Sequence, residues 1–185
     1  MNKIFLTIVF LLCPFLANAT DWQLLQSDSA IHFSSWQENQ AVTGYFSNFS
    51  SQLRFDETNL NHAAIIISVD TASVVTAYQP INALLTPSPW LNAQIFPEAI
   101  FESTPKSFKK INQHNYQLTG TLYISNVAAP ITAYLTVEKL SEKQLVVKGH
   151  TLIKRSQFGV EKGAWGSTGT SKDDVKVEFN LLYHS

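Results

Sequence analysis

The sequence predicts an all-β fold, an antiparallel barrel of about eight strands with a short helical insertion around residues 80–96. Apolar residues alternate with polar ones through most of the chain, and short turns separate the alternating stretches. One proline-rich apolar segment lacks this alternation. Side chains on a strand point alternately to opposite faces, so a period of two is typical of strands with one buried face. A sheet of about eight strands usually closes, because closure removes its exposed edges.

The first residues predict an export signal. Lys3 precedes an apolar run, and Ala17-Asn18-Ala19 has the small-x-small pattern that a signal peptidase needs. We therefore expect a signal peptide over residues 1–19 and a single barrel domain over residues 20–185. The apolar run is shorter than the roughly 18 residues that span a bilayer, and no later segment approaches that length, so we expect no stable membrane insertion.

The cysteine count indicates how the domain is stabilised, and the net charge restricts the classes of partner that it can bind. Cys13 is the only cysteine, so an exported domain would have no disulfides, and its stability must come from an apolar core. Lipid attachment at Cys13 is disfavoured, because Leu12 stands where such sites have a small residue. The net charge of −1 and the absence of a basic block argue against nucleic acid or an anionic membrane surface as the main partner. The twelve phenylalanines indicate a large core or an apolar cavity.

The earlier half of the chain contains a long strand whose inward face changes parity. In "AVTGYFSNFSSQLRFD", Val42, Gly44 and Phe46 share one parity, and Phe49, Leu53 and Phe55 share the other. One extra residue near Ser47-Asn48 would return all six to one face, so we predict a bulge there. The next strand, "HAAIIISVD", is apolar on both faces, which predicts that its outer face is also covered.

The segment "YQPINALLTPSPWLNAQIFPEA" is the predicted insertion and the candidate cover. Its four prolines limit any helix to one or two turns. Ile81, Leu84, Trp90 and Phe96 make it apolar for a connection, so it is either a lid over an opening or packed filler. Filler is the simpler interpretation.

The later half predicts four more strands and a long loop. Inward faces are predicted for Leu118, Gly120, Leu122 and Ile124; for Ile131, Ala133, Leu135 and Val137; for Leu145, Val147, Gly149, Thr151 and Ile153; and for Val175, Val177, Phe179, Leu181 and Tyr183. The glycines 163, 166 and 169 lie between two of these strands and lack dinucleotide-binding spacing, so they predict a hairpin loop.

No catalytic or metal-binding pattern emerges. The five histidines are scattered, Ser167 lacks a nucleophile elbow, and no phosphate-binding loop is present. Arg155 continues the inward face of its strand, so it is either a structural arginine at the barrel mouth or an anchor for the polar head of a ligand. We predict no catalytic activity, no metal and no cofactor.

Four segments in order resemble the YceI-like family of polyisoprenoid-binding proteins. These are the "AVTGYFSNFSSQLRFD" strand, "FPEAIFEST", "LTGTLYISNVAAPITAYLTV" with Gly120 and Pro130, and "IKRSQFGV". Asn126 stands where the family usually has a turn glycine, and it tolerates positive φ. The family's R-D-x-H-L motif is not recognisable around "QPINALL".

The resemblance implies a lipocalin-like barrel in the periplasm that holds a long-chain isoprenoid or other amphiphilic lipid, for example a polyprenyl quinone, for transport, storage or stress protection. The candidate ligand-binding residues are Phe33, Phe46, Phe49, Phe55, Trp90, Leu122, Ile124, Leu135, Val147, Arg155, Val177 and Phe179. Two rivals remain: a packed barrel that acts as an interaction module, and a hydrolase or isomerase acting on an amphiphile. The sequence does not decide between a monomer and a homodimer.

Overall fold

The computed structural model describes residues 20–37, 40–88, 90–160 and 173–185. The predicted signal peptide (1–19) and the glycine-rich loop around residues 163–169 lie outside these residues. Within the described ranges the chain forms twelve strands and one α-helix. They are β1 (Thr20–Leu24), β2 (Ala30–Gln37), β3 (Gln40–Phe46), β4 (Phe49–Phe55), β5 (Ala64–Asp70), β6 (Val74–Thr76), α1 (Gln79–Leu85), β7 (Glu98–Glu102), β8 (Phe108–Lys110), β9 (Asn115–Ile124), β10 (Val127–Ser141), β11 (Gln144–Lys154) and β12 (Asp174–His184).

Eight of these strands form a closed antiparallel barrel, which confirms the predicted fold class. Around the ring the order is β1-β4-β5-β7-β9-β10-β11-β12, and β12 pairs again with β1. Strands β2, β3 and β6 extend the wall from β12, because β2 pairs with the first half of β12, β3 with β2, and β6 with β3. Strand β8 is added on β9. The first half of β12 therefore belongs to one end of the molecule, where β2, β3 and β6 form the wall.

The chain leaves the wall three times at the same level, between β1 and β2, between β3 and β4, and between β5 and β6. The break between β3 and β4 falls at Ser47-Asn48, where the sequence predicts a bulge. The backbone N–H of Ser47 donates to the carbonyl of Ser73, and the N–H of Asp70 donates to the carbonyl of Asn48, which ties this break to the one between β5 and β6. Gln26, between β1 and β2, donates its side-chain amide to the carbonyl of Ser47. These hydrogen bonds satisfy backbone groups that leave the strand ladders where the wall bends.

The predicted inward faces are confirmed by burial. Along β4, buried and exposed residues alternate strictly from Phe49 to Phe55. On β12 the odd-numbered residues from Val175 to Tyr183 are buried or half-buried, and the even-numbered ones as far as Asn180 are exposed. The period of two therefore reports correctly which side chains point into the barrel.

An aromatic cluster seals the end of the barrel where β12 finishes. The ring of Phe55 lies 5.6 Å from that of Tyr116 and 5.7 Å from that of Phe108, both near edge-to-face. Trp22 donates its indole N–H to the carbonyl of Phe55, and the fully buried Tyr183 hydroxyl lies 2.7 Å from Ser51 Oγ. Burial raises the pKa of the Tyr183 hydroxyl. Because its polar atoms have partners, this end is a packed core.

The expectation of a covered outer face on β5 is wrong. Ile66, on that face, is 41% exposed. The insertion instead crosses the end of the barrel opposite the sealed end, and β6 leads directly into the insertion. We call residues 77–88 and 90–97 the lid segment. Its helix α1 has only two turns, as the prolines require. No helix in the described ranges has the length and apolar character needed to cross a bilayer.

The β9–β10 hairpin supports the lid segment from the opposite wall. Its two turn residues, Ser125 and Asn126, both have positive φ, 48° and 63°. This is the twist that a two-residue hairpin favours, and it confirms the expectation that Asn126 preserves the turn. Ser125 Oγ donates a hydrogen bond of 3.1 Å to the carbonyl of Leu91, which fastens the lid segment to the hairpin.

Candidate binding cavity

A cavity of about 400 Å³ lies between the lid segment and the upper wall. We call it the lid-side cavity. Its described lining is almost entirely apolar and comes from β2, β3, β6, the ends of β9, β11 and β12, and the lid segment. The lining residues are Phe33, Ser35, Trp36, Val42, Phe46, Val74, Ile81, Leu84, Leu85, Pro87, Ser88, Trp90, Leu91, Ile124, Ile153, Arg155, Phe158, Val160, Val175 and Val177. The interpretation of the insertion as filler is therefore wrong, because its apolar side chains roof a cavity.

A second cavity of about 150 Å³ occupies the middle of the barrel. We call it the barrel cavity. Phe108, Leu118 and Leu135 are among its lining residues, and Phe108 in turn packs on the sealed end. The two cavities adjoin, since they share the lining residues Phe46, Leu91, Ile124, Ile153 and Val177. Together they run from the lid segment toward the sealed end. Pockets of several hundred Å³ with mostly apolar walls are typical of small-molecule sites.

Ten of the twelve candidate residues line these cavities. Phe33, Trp90 and Arg155 line only the lid-side cavity, and Phe46, Ile124 and Val177 line both. The barrel cavity alone is lined by Leu122, Leu135, Val147 and Phe179. Ligand contact by these side chains stays a prediction.

Phe49 and Phe55 are corrections, because neither lines the lid-side or the barrel cavity. Both are 5% exposed and belong to the packed core. Phe55 lies behind Phe108, whose ring stands between it and the barrel cavity. The alternation gives both residues the inward direction, but Phe55 lies at the sealed end of β4, and Phe49, at the other end of the strand, is packed in the core.

Three glycines on inward positions make room for phenylalanine rings against the barrel wall. A methyl group placed on Gly44 would lie 2.6 Å from Phe33 Cζ, and one on Gly149 would lie 2.6 Å from Phe179 Cζ. On Gly120 it would lie 2.4 Å from the ring of Phe101. These contacts are far shorter than the roughly 3.5–4.0 Å between packed carbon atoms. Each ring therefore occupies the space that a side chain would take at its glycine.

The sequence reasoning missed several lining residues. Phe101 is one of them. The inward Gly120 could have indicated it, because a glycine on an inward row leaves room for a large side chain on a neighbouring strand. Trp36 lines the lid-side cavity from the end of β2, and Phe158 and Val160 do so from the turn that follows β11. No alternation marks those two, because Phe158 belongs to a 3₁₀ turn that ends in Gly159 at φ 66°.

Arg155 is the one charged side chain among the described residues that line the lid-side cavity. Its Cζ lies 5.8 Å from the centroid of the Trp90 ring, within the range of a cation–π contact. Burial lowers the pKa of the Arg155 guanidinium, and the carboxylate of Asp173 acts in the opposite direction. The arginine therefore joins the lid segment to the start of the last strand, and it places a charge in the almost entirely apolar lining of the lid-side cavity.

The turn that carries Arg155 is held by Asp173. The backbone N–H of Ser156 donates to Asp173 Oδ1 at 2.8 Å, and Ser156 Oγ donates to Oδ2 at 2.7 Å. Burial acts to raise the pKa of Asp173, but these hydrogen bonds, with the charges of Lys154 and Arg155, outweigh it and hold the pKa below its usual value. Asp173 is therefore ionised at neutral pH, and its carboxylate fixes the backbone at Ser156, next to Arg155.

The described part of the chain contains no group of three His, Cys, Asp or Glu side chains placed to hold a metal ion. The described residues enclose two adjoining apolar cavities with one cation, Arg155, in their lining. Such a site can enclose a hydrocarbon tail and leave a polar end near Arg155.

The solved structures similar to this chain have the same barrel. BcnA of Burkholderia cenocepacia superposes with a TM-score of 0.80 at 28% identity, over 86% of this chain and 98% of BcnA. A polyisoprenoid binding domain from Saccharophagus degradans, implicated in plant cell wall breakdown, gives a TM-score of 0.72 at 18% identity, over 91% of this chain and 99% of that domain. At 18% identity, the similarity to this domain shows a shared fold alone.

Sequence relatives point to the same family. A UPF0312 protein of Shewanella denitrificans is 26% identical over 176 residues, which cover 92% of this chain and 84% of the relative. A UPF0312 protein of Vibrio campbellii is 30% identical over 124 residues, so the match spans 64% of each protein, less than two thirds of the relative's length. The YceI-like domain matches residues 22–183, nearly all of the barrel described above. The chain therefore belongs to the YceI-like domain family.

Proposed function

We propose that this protein binds a long isoprenoid-type or other amphiphilic lipid, such as a polyprenyl quinone, with its tail in the lid-side and barrel cavities. The observation that carries the proposal is the pair of adjoining apolar cavities, which run from the lid segment toward the sealed end. Membership of the YceI-like family and the polyisoprenoid binding named for the Saccharophagus neighbour support it. The polar end of the lipid lies near Arg155.

The energetics favour a carrier or buffer over a permanent store. A tail of some tens of carbons gains tens of kcal/mol on leaving water, at about 0.8 kcal/mol per CH₂. That would exceed the limit of about 18–21 kcal/mol observed for non-covalent affinity. The lipid, however, resides in a membrane, and its transfer from one apolar surrounding to another is close to neutral. Exchange between bilayer and protein therefore depends on the smaller contributions of shape and headgroup contacts.

The main test is organic extraction of the purified protein followed by mass spectrometry, with prenyl quinone uptake measured in parallel. We expect lipid without any being added. In Phe46→Glu, a carboxylate replaces a ring that lines both cavities, so we expect lipid to be lost. Thr43→Glu is the matched control, because Thr43 is exposed on the outer face of the same strand. If the Phe46→Glu protein stays folded and keeps its lipid, the assignment of the cavity is wrong.

A second variant avoids a buried charge. Val177 also lines both cavities, so Val177→Trp would fill their junction while leaving the wall apolar. We expect this protein to remain folded and to lose long tails more than short ones. Unchanged binding of long tails would place the lipid elsewhere. Turnover of an amphiphile by the wild type would instead favour the hydrolase or isomerase reading.

The proposal places this exchange in the periplasm, after cleavage of residues 1–19. Fractionation with amino-terminal sequencing tests it: we expect a protein that begins at Thr20 and is released with the periplasmic contents. Retention of residues 1–19 in the mature protein would contradict it.

A further inference from the structure

The mouth of the lid-side cavity is surrounded by exposed apolar side chains. Trp36 and Leu84 both line this cavity, yet they are 45% and 60% exposed, so the cavity reaches the surface between β2 and α1. Tyr78, just before α1, is 63% exposed. Water contact with large apolar side chains around an opening is unfavourable, and such patches mark interaction sites.

The lid segment itself carries no charge. Between Asp70 and Glu98 the sequence has no Asp, Glu, Lys, Arg or His. The outer faces of neighbouring strands differ, because Lys148, Lys154 and Lys176 are exposed there. An uncharged segment with an exposed tyrosine, beside an exposed tryptophan, fits the boundary between lipid headgroups and acyl chains, where amphipathic rings are favoured.

The fold holds this surface in place. Asn82 Oδ1 accepts hydrogen bonds from the backbone N–H and the hydroxyl of Thr76, at 2.8 and 2.7 Å, which fixes α1 to the end of β6. On its far side the lid segment is fastened to Ser125 through the carbonyl of Leu91. Leu84 therefore projects from an anchored element at the mouth.

We propose that the lid segment and Trp36 dock on the surface of a lipid bilayer, with Leu84 and Tyr78 entering the headgroup–acyl boundary. The inference rests on the proposed function, because a lipid that passed through water between membrane and cavity would expose its whole tail. Docking at the mouth joins the apolar cavity directly to the bilayer interior. The absence of charge in this segment makes the contact independent of anionic lipid.

The test is flotation of the purified protein with vesicles of zwitterionic phosphatidylcholine, with and without added anionic lipid and salt. The key variant is Leu84→Glu. Its matched control is Leu140→Glu: Leu140 is 57% exposed but stands near the β10–β11 turn, at the sealed end. The eleven residues of β11 separate the two ends by roughly 35 Å, at about 3.3 Å per residue. Tyr78→Glu is a second variant, and circular dichroism checks that all variants are folded.

We expect the wild type and Leu140→Glu to bind neutral vesicles alike, and Leu84→Glu and Tyr78→Glu to bind at least about tenfold more weakly. A tenfold change corresponds to about 1.4 kcal/mol, less than the full burial of one leucine side chain contributes. Equal binding by Leu84→Glu and Leu140→Glu would overturn the proposal, as would binding that requires anionic lipid and disappears with salt.

Extraction of the same samples separates this inference from the proposed function. A wild type that carries lipid but does not float with vesicles would overturn docking and leave lipid binding intact. A protein that floats but never carries or takes up lipid would overturn the proposed function and, with it, this reason for docking.

Discussion

The contact between Gly149 and Phe179 supplies the sharpest test of how the barrel stays hollow. Gly149 pairs with Leu135 on one side and with Phe179 on the other. In Gly149→Ala, the new methyl group would lie 2.5 Å from the carbonyl oxygen of Tyr134, 2.6 Å from Phe179 Cζ and 2.8 Å from Leu135 Cβ. The ring borders the barrel cavity and can swing into it, whereas the carbonyl contact requires a shift of the backbone.

The expected destabilisation follows from two opposing effects. Overpacking of this kind costs about 1–3 kcal/mol. Replacing a glycine in a strand by alanine stabilises the folded state by about 0.5–1 kcal/mol, because the unfolded chain has less conformational freedom to lose. These effects leave a net loss of about 0–2.5 kcal/mol, and the contact with a backbone carbonyl favours the upper part of that range. We therefore expect the free energy of unfolding to fall by about 1–2 kcal/mol, and Tm to fall by roughly 2–8 °C at about 2–4 °C per kcal/mol for a domain of this size. Because the displaced ring occupies the barrel cavity, uptake of a long lipid should weaken as well.

The assay combines thermal and urea unfolding, followed by circular dichroism, with lipid uptake. Lys148→Ala is the control on the same strand, since Lys148 is exposed on the outer face, and its change should stay within about 0.5 kcal/mol. In the double variant with Phe179→Leu, the shorter side chain should recover part of the loss, with a coupling of about 0.5 kcal/mol or more.

A Gly149→Ala protein as stable as the wild type, with unchanged lipid uptake, would refute the reasoning. It would mean that Phe179 does not lie over the glycine, and that glycine is not what keeps the rings against the wall.

Two further predictions concern the hairpin and the mouth. Asn126→Gly should leave the free energy of unfolding unchanged or raise it slightly, because glycine adopts positive φ freely. Asn126→Ala should lower it by about 1 kcal/mol in urea titration, because φ of 63° strains alanine. Equal stability of the two variants would contradict the turn geometry. Asp173→Asn should be less stable than the wild type at pH 7, since the folded state lowers the Asp173 pKa and so favours the charged form. That advantage is present above the pKa of about 3.9 of an unfolded aspartate and disappears as pH falls through the lower folded pKa, so unfolding curves of the two proteins should converge in acid. A difference that persists there would assign the effect to something other than the carboxylate.

The direction of each strand residue is a local property, and the sequence predicts it well. Val175 to Tyr183 alternates because successive side chains on a strand must point to opposite faces. The parity change between Phe46 and Phe49 required one irregularity, and the break at Ser47-Asn48 supplies it. The error on β5 has the same origin: Ile66 is apolar, yet it is 41% exposed, because polarity alone does not report coverage.

By itself, the sequence determined the antiparallel strands, their inward rows, the short helix between prolines and the positive φ at Asn126. Only the tertiary structure decided that Phe46 faces a cavity while Phe55 faces a packed core, although both lie on the same inward row. The reason is that a hollow depends on distances across the barrel and on how each ring lies, as Phe179 does over Gly149. Those distances come from strands far apart in sequence, so no local pattern encodes them.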